Sequence, residues 1–154
     1  MGVYNHFDGK DGLLDAVVTD GFVEFAQAIG TTDSDASARL LNSGVAYRRF
    51  ALNYPTLYEL MFSTECNADM DTAENAFRVL TDVIRYGQAA GVVRPGDPDG
   101  LAFQTWSAVH GAMSLELARS YPPSVDAEAN FEQILGFITR GLAPDPAEGS
   151  DLGQ

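Results

Sequence analysis

Few side chains in this sequence are equipped for chemistry, and their spacing narrows what that chemistry could be. There are two histidines, His6 and His110, and a single cysteine, Cys66. A lone thiol forms no internal disulfide, and with so few nitrogen and sulfur ligands a zinc site lacks donors, so no metal or cofactor is expected. No cationic residue neighbours Cys66 to stabilise a thiolate, and it reads as an ordinary buried thiol. Glu116 follows His110 by six residues, about 600° round a helix and on another face, so the two make no acid–base pair. The chain has no H-E-x-x-H, no D-D-x-x-D and no Gly-rich phosphate loop. A small all-α enzyme is therefore the weakest reading, and no catalytic residue is expected. Two uses of His110 stay open: a core histidine satisfied by one hydrogen bond, or a polar group facing a ligand cavity. Trp106, four residues earlier on the same face, reads first as core wall. Gly111 costs ~1 kcal/mol against alanine in mid-helix, which suggests that another helix or a ligand comes close.

The elements that must position these residues are helices. The segment from Asp8 repeats Leu14, Val17, Val18, Gly21, Phe25 and Ala28 at helical spacing up to Gly30, with Asp8 as its cap. The polar stretch 31–35 supplies the next cap, and a second helix carries Leu40, Tyr47, Phe50 and Tyr54. Pro55 ends it and opens a short third helix through Phe62. After a polar loop over 65–71, a fourth helix bears Ala73, Phe77, Leu80, Ile84 and Gly87 and stops near Gly91. Asp97 or Asp99 opens the most apolar segment, Leu101 to Leu117, whose apolar residues run round most of its circumference and predict burial on several sides. The last helix places Phe131, Ile134, Leu135, Ile138 and Leu142 on one face. No window alternates as a strand would, so the expected fold is all-α, a bundle of about six helices.

A chain of 154 residues, 45% hydrophobic, is one domain's worth of core. Its net charge of −13 argues against the chain itself gripping nucleic acid, because the nine basic residues are scattered. No apolar run approaches the ~20 residues of a membrane span and no signal core opens the chain, so a cytoplasmic protein without membrane contact is expected.

The stretch Tyr4-Asn-His6-Phe7-Asp8-Gly-Lys10-Asp11-Gly-Leu13-Leu14 resembles the junction in TetR-type transcriptional regulators where the DNA-recognition helix ends and a long helix begins. Farther on, the stretch from Phe50 to Phe62 and Trp106-Ser-Ala-Val-His110-Gly111 resemble the ligand domain of the subfamily named for its Trp–His–Gly motif. Asp8 departs from the serine or proline common at that position but still caps. By this likeness residues 1–9 are a remnant of the DNA-binding head, 10–142 a helical ligand-binding and dimerisation domain, and 143–154 a disordered acidic tail. Roughly forty residues of helix-turn-helix are then expected to be missing ahead of Met1.

The resemblance implies the effector-binding and dimerisation domain of a transcriptional repressor. Tyr4, His6 and Lys10 match positions that offer a phenol, an imidazole and an ammonium to DNA phosphates; operator binding is expected only with the head restored. An apolar or aromatic effector would sit in a pocket drawn from Tyr58, Phe62, Phe77, Tyr86, Phe103, Trp106 and His110. The last two helices would pair two copies into a homodimer through Val109, Met113 and Leu117 with Phe131, Leu135 and Ile138. A head-less partner that forms heterodimers and blocks full-length relatives would use the same surfaces.

Overall fold

The computed structural model describes residues 9–146, and these form six helices and no strand. They are α1 (Gly9–Ile29), α2 (Ala36–Asn53), α3 (Pro55–Met61), α4 (Met70–Ala89), α5 (Pro98–Leu117) and α6 (Ala127–Leu142). Tyr4, His6, the Asp8 cap and most of the acidic tail lie outside the described residues; Lys10 stands exposed in the first turn of α1.

Local chemistry sets most boundaries. Asp35, Asp69, Asp97 and Asp126 each accept a hydrogen bond from the backbone N–H three residues on, capping α2, α4, α5 and α6. Pro55 and Pro98 occupy first-turn positions of α3 and α5, where the missing N–H costs nothing. Past the end of α4 stands Gly91, whose φ of +75° suits only a residue without a β-carbon. The C-terminus of α6 is satisfied from the α4–α5 connection: the Arg94 N–H donates to the Leu142 carbonyl at 2.7 Å and its Nε to that of Gly141 at 3.2 Å.

Helix α2 is the central post and packs against all five others. Helix α1 lies across α2, α3 and α4; α5 packs on α4 and α6. A bidentate ion pair ties α2 to α5, Arg48 Nη2 and Nε donating to the Glu116 carboxylate at 2.8 and 3.1 Å. Burial of α5 is one-sided. Leu101, Ala102, Thr105, Val109 and Met113 face the core, while Phe103 and Leu115 remain 56% and 55% exposed. An all-round apolar composition thus does not mean all-round cover within one chain. Cys66 is a buried free thiol.

Candidate functional site

The core is not filled. Between α1, α2, α4, α5 and α6 lies an apolar cavity of about 400 Å³. Helix α1 contributes Phe22, Phe25 and Ile29 to its wall, α2 contributes Leu40 to Tyr47, and α4 contributes Ala73, Ala76, Phe77 and Leu80. Trp106 and Val109 of α5 and Leu135 and Ile138 of α6 border it, with Phe62 from the end of α3, and the exposed Leu41 and Phe103 stand at its open edge. The void has a stereochemical origin. Large rings lock against one another, Phe25 with Tyr47 at 5.2 Å and Phe62 with Trp106 at 5.8 Å between centroids, while two of the four α4 residues in the lining are alanines, Ala73 and Ala76. Rings held by such contacts do not collapse into space that small side chains leave.

A buried polar cluster backs this wall. The hydroxyl of Tyr47 lies 2.7 Å from that of Tyr58 and 3.0 Å from His110 Nδ1, and Tyr58 stands 2.8 Å from the same nitrogen. Trp106 Nε1 donates to the Tyr47 oxygen at 3.2 Å. Three helices therefore meet at one hydroxyl: α2 with Tyr47, α3 with Tyr58, α5 with His110 and Trp106. Burial raises both phenols, Tyr47 far above its ordinary value and Tyr58 up to about 12, so both keep their protons. Burial also lowers the His110 pKa below the usual 6.5, which favours a neutral imidazole. Among the described residues no charged side chain lines the cavity. Among the described residues there is no cluster of three metal-ligating side chains.

The residues expected from sequence distribute unevenly. Phe62, Phe77, Phe103 and Trp106 line the cavity. Tyr58 and His110 stand behind its wall and hold Tyr47 in place. Tyr86 lies elsewhere: its hydroxyl donates to the Ser34 carbonyl at 2.7 Å and its ring sits 3.6 Å beneath the Arg39 guanidinium. It clamps the α1–α2 link to α4.

The expected pairing surface needs correction. Val109, Met113, Phe131 and Leu135 are between 0% and 6% exposed within a single chain, and Val109, Leu135 and Ile138 line the cavity. Leu117 packs half-buried against the same core. Side chains already covered by their own protomer have no surface left for a partner. Helical periodicity shows that a stripe is buried, and it does not say by what. Conversely Tyr47, which sequence placed only on a buried face, is the hub of the cluster, and Phe22 and Ile29 were not expected at the site at all.

The bundle is all-α, and five of its six helices border one apolar cavity. Residues 40–138 match the family described as Tetracyclin repressor-like, C-terminal domain, and this chain belongs to that family. Its members are transcriptional regulators and not enzymes. Among solved structures, a protein of unknown function from Rhodococcus sp. RHA1 shares 25% identity at a TM-score of 0.78, covering 90% of this chain and 75% of that one. A bacterial regulatory protein in the TetR family from Rhodococcus RHA1 shares the fold at 20% identity and a TM-score of 0.70, over 94% of this chain and 80% of that one. No curated protein matches the sequence. No helix among the described residues is long and apolar enough to cross a membrane.

Proposed function

We propose that residues 10–142 form the effector-binding and pairing part of a cytoplasmic transcriptional repressor, with the chamber as the effector site. The apolar volume carries this reading: about 400 Å³ lies unfilled between the helices, with the exposed Leu41 and Phe103 at its edge. Filling it with an apolar or aromatic molecule recovers dispersion contacts that the lining now lacks. Helix α1 connects the chamber to DNA. Its last turns supply Phe22, Phe25 and Ile29 to the wall, and its 21 residues span about 30 Å back to Gly9. A ligand that pushes on those rings swings the far end of α1, and with it a helix-turn-helix head standing before it. In that arrangement Tyr4, His6 and Lys10 serve the head's phosphate contacts.

Pairing in this reading uses the outward side of α5 and α6. Leu115 and Phe137 are 55% and 62% exposed there, and, its own helix backbone and chain neighbours aside, no atom of the described residues lies within 4 Å of where a Gly111 side chain would begin. That leaves room for a partner helix to approach closely. Sedimentation at micromolar concentration tests the pairing, with a dimer expected and a monomer overturning it. Trp106, the sole tryptophan, lines the chamber, so its emission should change as small aromatic molecules bind. Unchanged emission and no heat of binding across a broad aromatic set would refute the effector site.

A further inference from the structure

The hydrogen atoms of the chamber wall are already committed, and that sets a rule for what can bind. Ser43 donates its hydroxyl proton to the Ile29 carbonyl at 2.8 Å and Thr105 donates to that of Leu101 at 2.9 Å. Thr139 donates likewise to the Leu135 carbonyl. Trp106 spends its N–H on the Tyr47 oxygen. The fourth wall hydroxyl belongs to Tyr47, and its proton is held in the triangle with Tyr58 and His110 Nδ1. With Nδ1 accepting, the two phenolic protons fill two of the three edges in either order. Tyr47 donates to Tyr58 and Tyr58 to the imidazole, or Tyr58 donates to Tyr47 and Tyr47 to the imidazole. Neither order leaves a proton pointing into the chamber. The backbone N–H groups of the lining are spent within helices, and that of Phe62, just past α3, on the Leu60 carbonyl. What the lining offers a ligand is the hydroxyl oxygens of Ser43, Thr105, Thr139 and Tyr47 as acceptors, their protons already donated, with no cation among the described lining residues.

We propose that this chamber selects uncharged ligands whose polar group donates a hydrogen bond, and that it rejects carboxylates and pure acceptors. The class is a neutral hydroxyl-bearing aromatic or alicyclic molecule. At the ~30 Å³ that water occupies per non-hydrogen atom, the volume holds roughly a dozen such atoms. The hydroxyl would donate to Tyr47, the one phenol on the wall, and so select the order in which Tyr47 donates to Tyr58, the only one that leaves its oxygen a lone pair beside the bond from Trp106. A carboxylate there would meet lone pairs and no compensating charge, and its desolvation would go unrepaid. An ether oxygen would find nothing to accept from.

This rule rests on the chamber being the effector site, and a matched series separates the two ideas. Naphthalene, 2-naphthol, 2-methoxynaphthalene and 2-naphthoate share one skeleton and can be titrated calorimetrically into the full chain at a pH where the naphthol is neutral and the acid ionised. The naphthol should bind roughly tenfold tighter than the methyl ether, the worth of one net hydrogen bond, and the naphthoate at least a hundredfold weaker. Tyr47→Phe removes the acceptor and frees the Trp106 N–H as a donor, so the preference for naphthol over ether should vanish or invert. Equal binding of naphthol and ether by the unaltered protein, or naphthoate within tenfold of naphthol, would overturn the rule while leaving the effector site standing. Binding by none of the four would overturn the effector site and the rule together.

Discussion

Tyr47→Phe tests the polar cluster most sharply, because the phenyl ring stays and only one oxygen leaves. That oxygen serves three partners, at 2.7, 3.0 and 3.2 Å. Without it Tyr58 still donates to His110 at 2.8 Å, but Trp106 Nε1 has lost its acceptor. A buried donor left unpaired costs about 1–3 kcal/mol and the lost phenol bond about 1 more, so the variant should lose about 2–4 kcal/mol. Tyr58→Phe makes the contrast. There Tyr47 turns its proton to the imidazole, keeps the bond from Trp106, and the loss is about 1 kcal/mol. Both tyrosines are nearly fully buried, at 3% and 2% exposure, so ring packing does not separate the pair.

The assay is urea unfolding followed by far-UV circular dichroism at one fixed protomer concentration, since a paired protein's apparent stability depends on it. Thermal midpoints should rank the same way, by roughly 2–4 °C per kcal/mol. Equal losses, or a larger loss for Tyr58→Phe, would show that the hub is not Tyr47 and that the proton count in the chamber wall is wrong.

His110 makes stability depend on pH in a defined direction. Its folded pKa lies below the 6.5 of the unfolded chain, so between those values the unfolded state binds more protons. The contribution is complete above pH 6.5, is lost as pH falls toward the folded pKa, and changes no further below it; His110→Gln should flatten that stretch of the unfolding profile. Glu116→Gln breaks the clamp between α2 and α5, whose side chains are 20% and 13% exposed, and should cost about 1–2 kcal/mol in urea unfolding, between surface and fully buried pairs. Gly111→Ala should raise the stability of a single protomer by up to ~1 kcal/mol through helix propensity and yet weaken the dimer in sedimentation, since the methyl occupies space kept for the partner helix. An alanine variant that pairs as tightly as the parent would remove Gly111 from the interface.

How far the sequence reaches is visible in these same residues. Helix boundaries were partly legible because local chemistry writes them: the polar stretch ending at Asp35 and the Asp97 ahead of two helices, Pro55 at a start, Gly91 past an end; the caps at Asp69 and Asp126 and the place of Pro98 came only with the fold. The fold class follows from the 3.6-residue period, and His110 and Trp106 on one face were legible for the same reason. What covers a buried face is a tertiary matter that no local pattern encodes. Val109 and Leu135 recur at the same spacing whether they meet a partner chain, a neighbouring helix or a void. Tyr86 illustrates the converse limit, since an aromatic on an amphipathic helix looks like core until Arg39 and Ser34 are seen to hold it at the edge.

Packing decides between a filled core and a chamber, and here it turns on size rather than hydrophobicity. Ala73 and Ala76 share the cavity lining with Phe22, Phe25 and Trp106, and all five count as apolar in any pattern. Had α4 carried leucines at those two positions, the periodicity would read the same and much of the space would be gone. The ion pair of Arg48 with Glu116 was invisible for a related reason, because its partners stand 68 residues apart and only the crossing of α2 with α5 brings them together. The same crossing sets Tyr47 against His110 and Trp106. The geometry that opens the chamber therefore also fixes the hydroxyl that reads what enters it, and a change that shifted α5 on α2 should alter ligand preference and stability together.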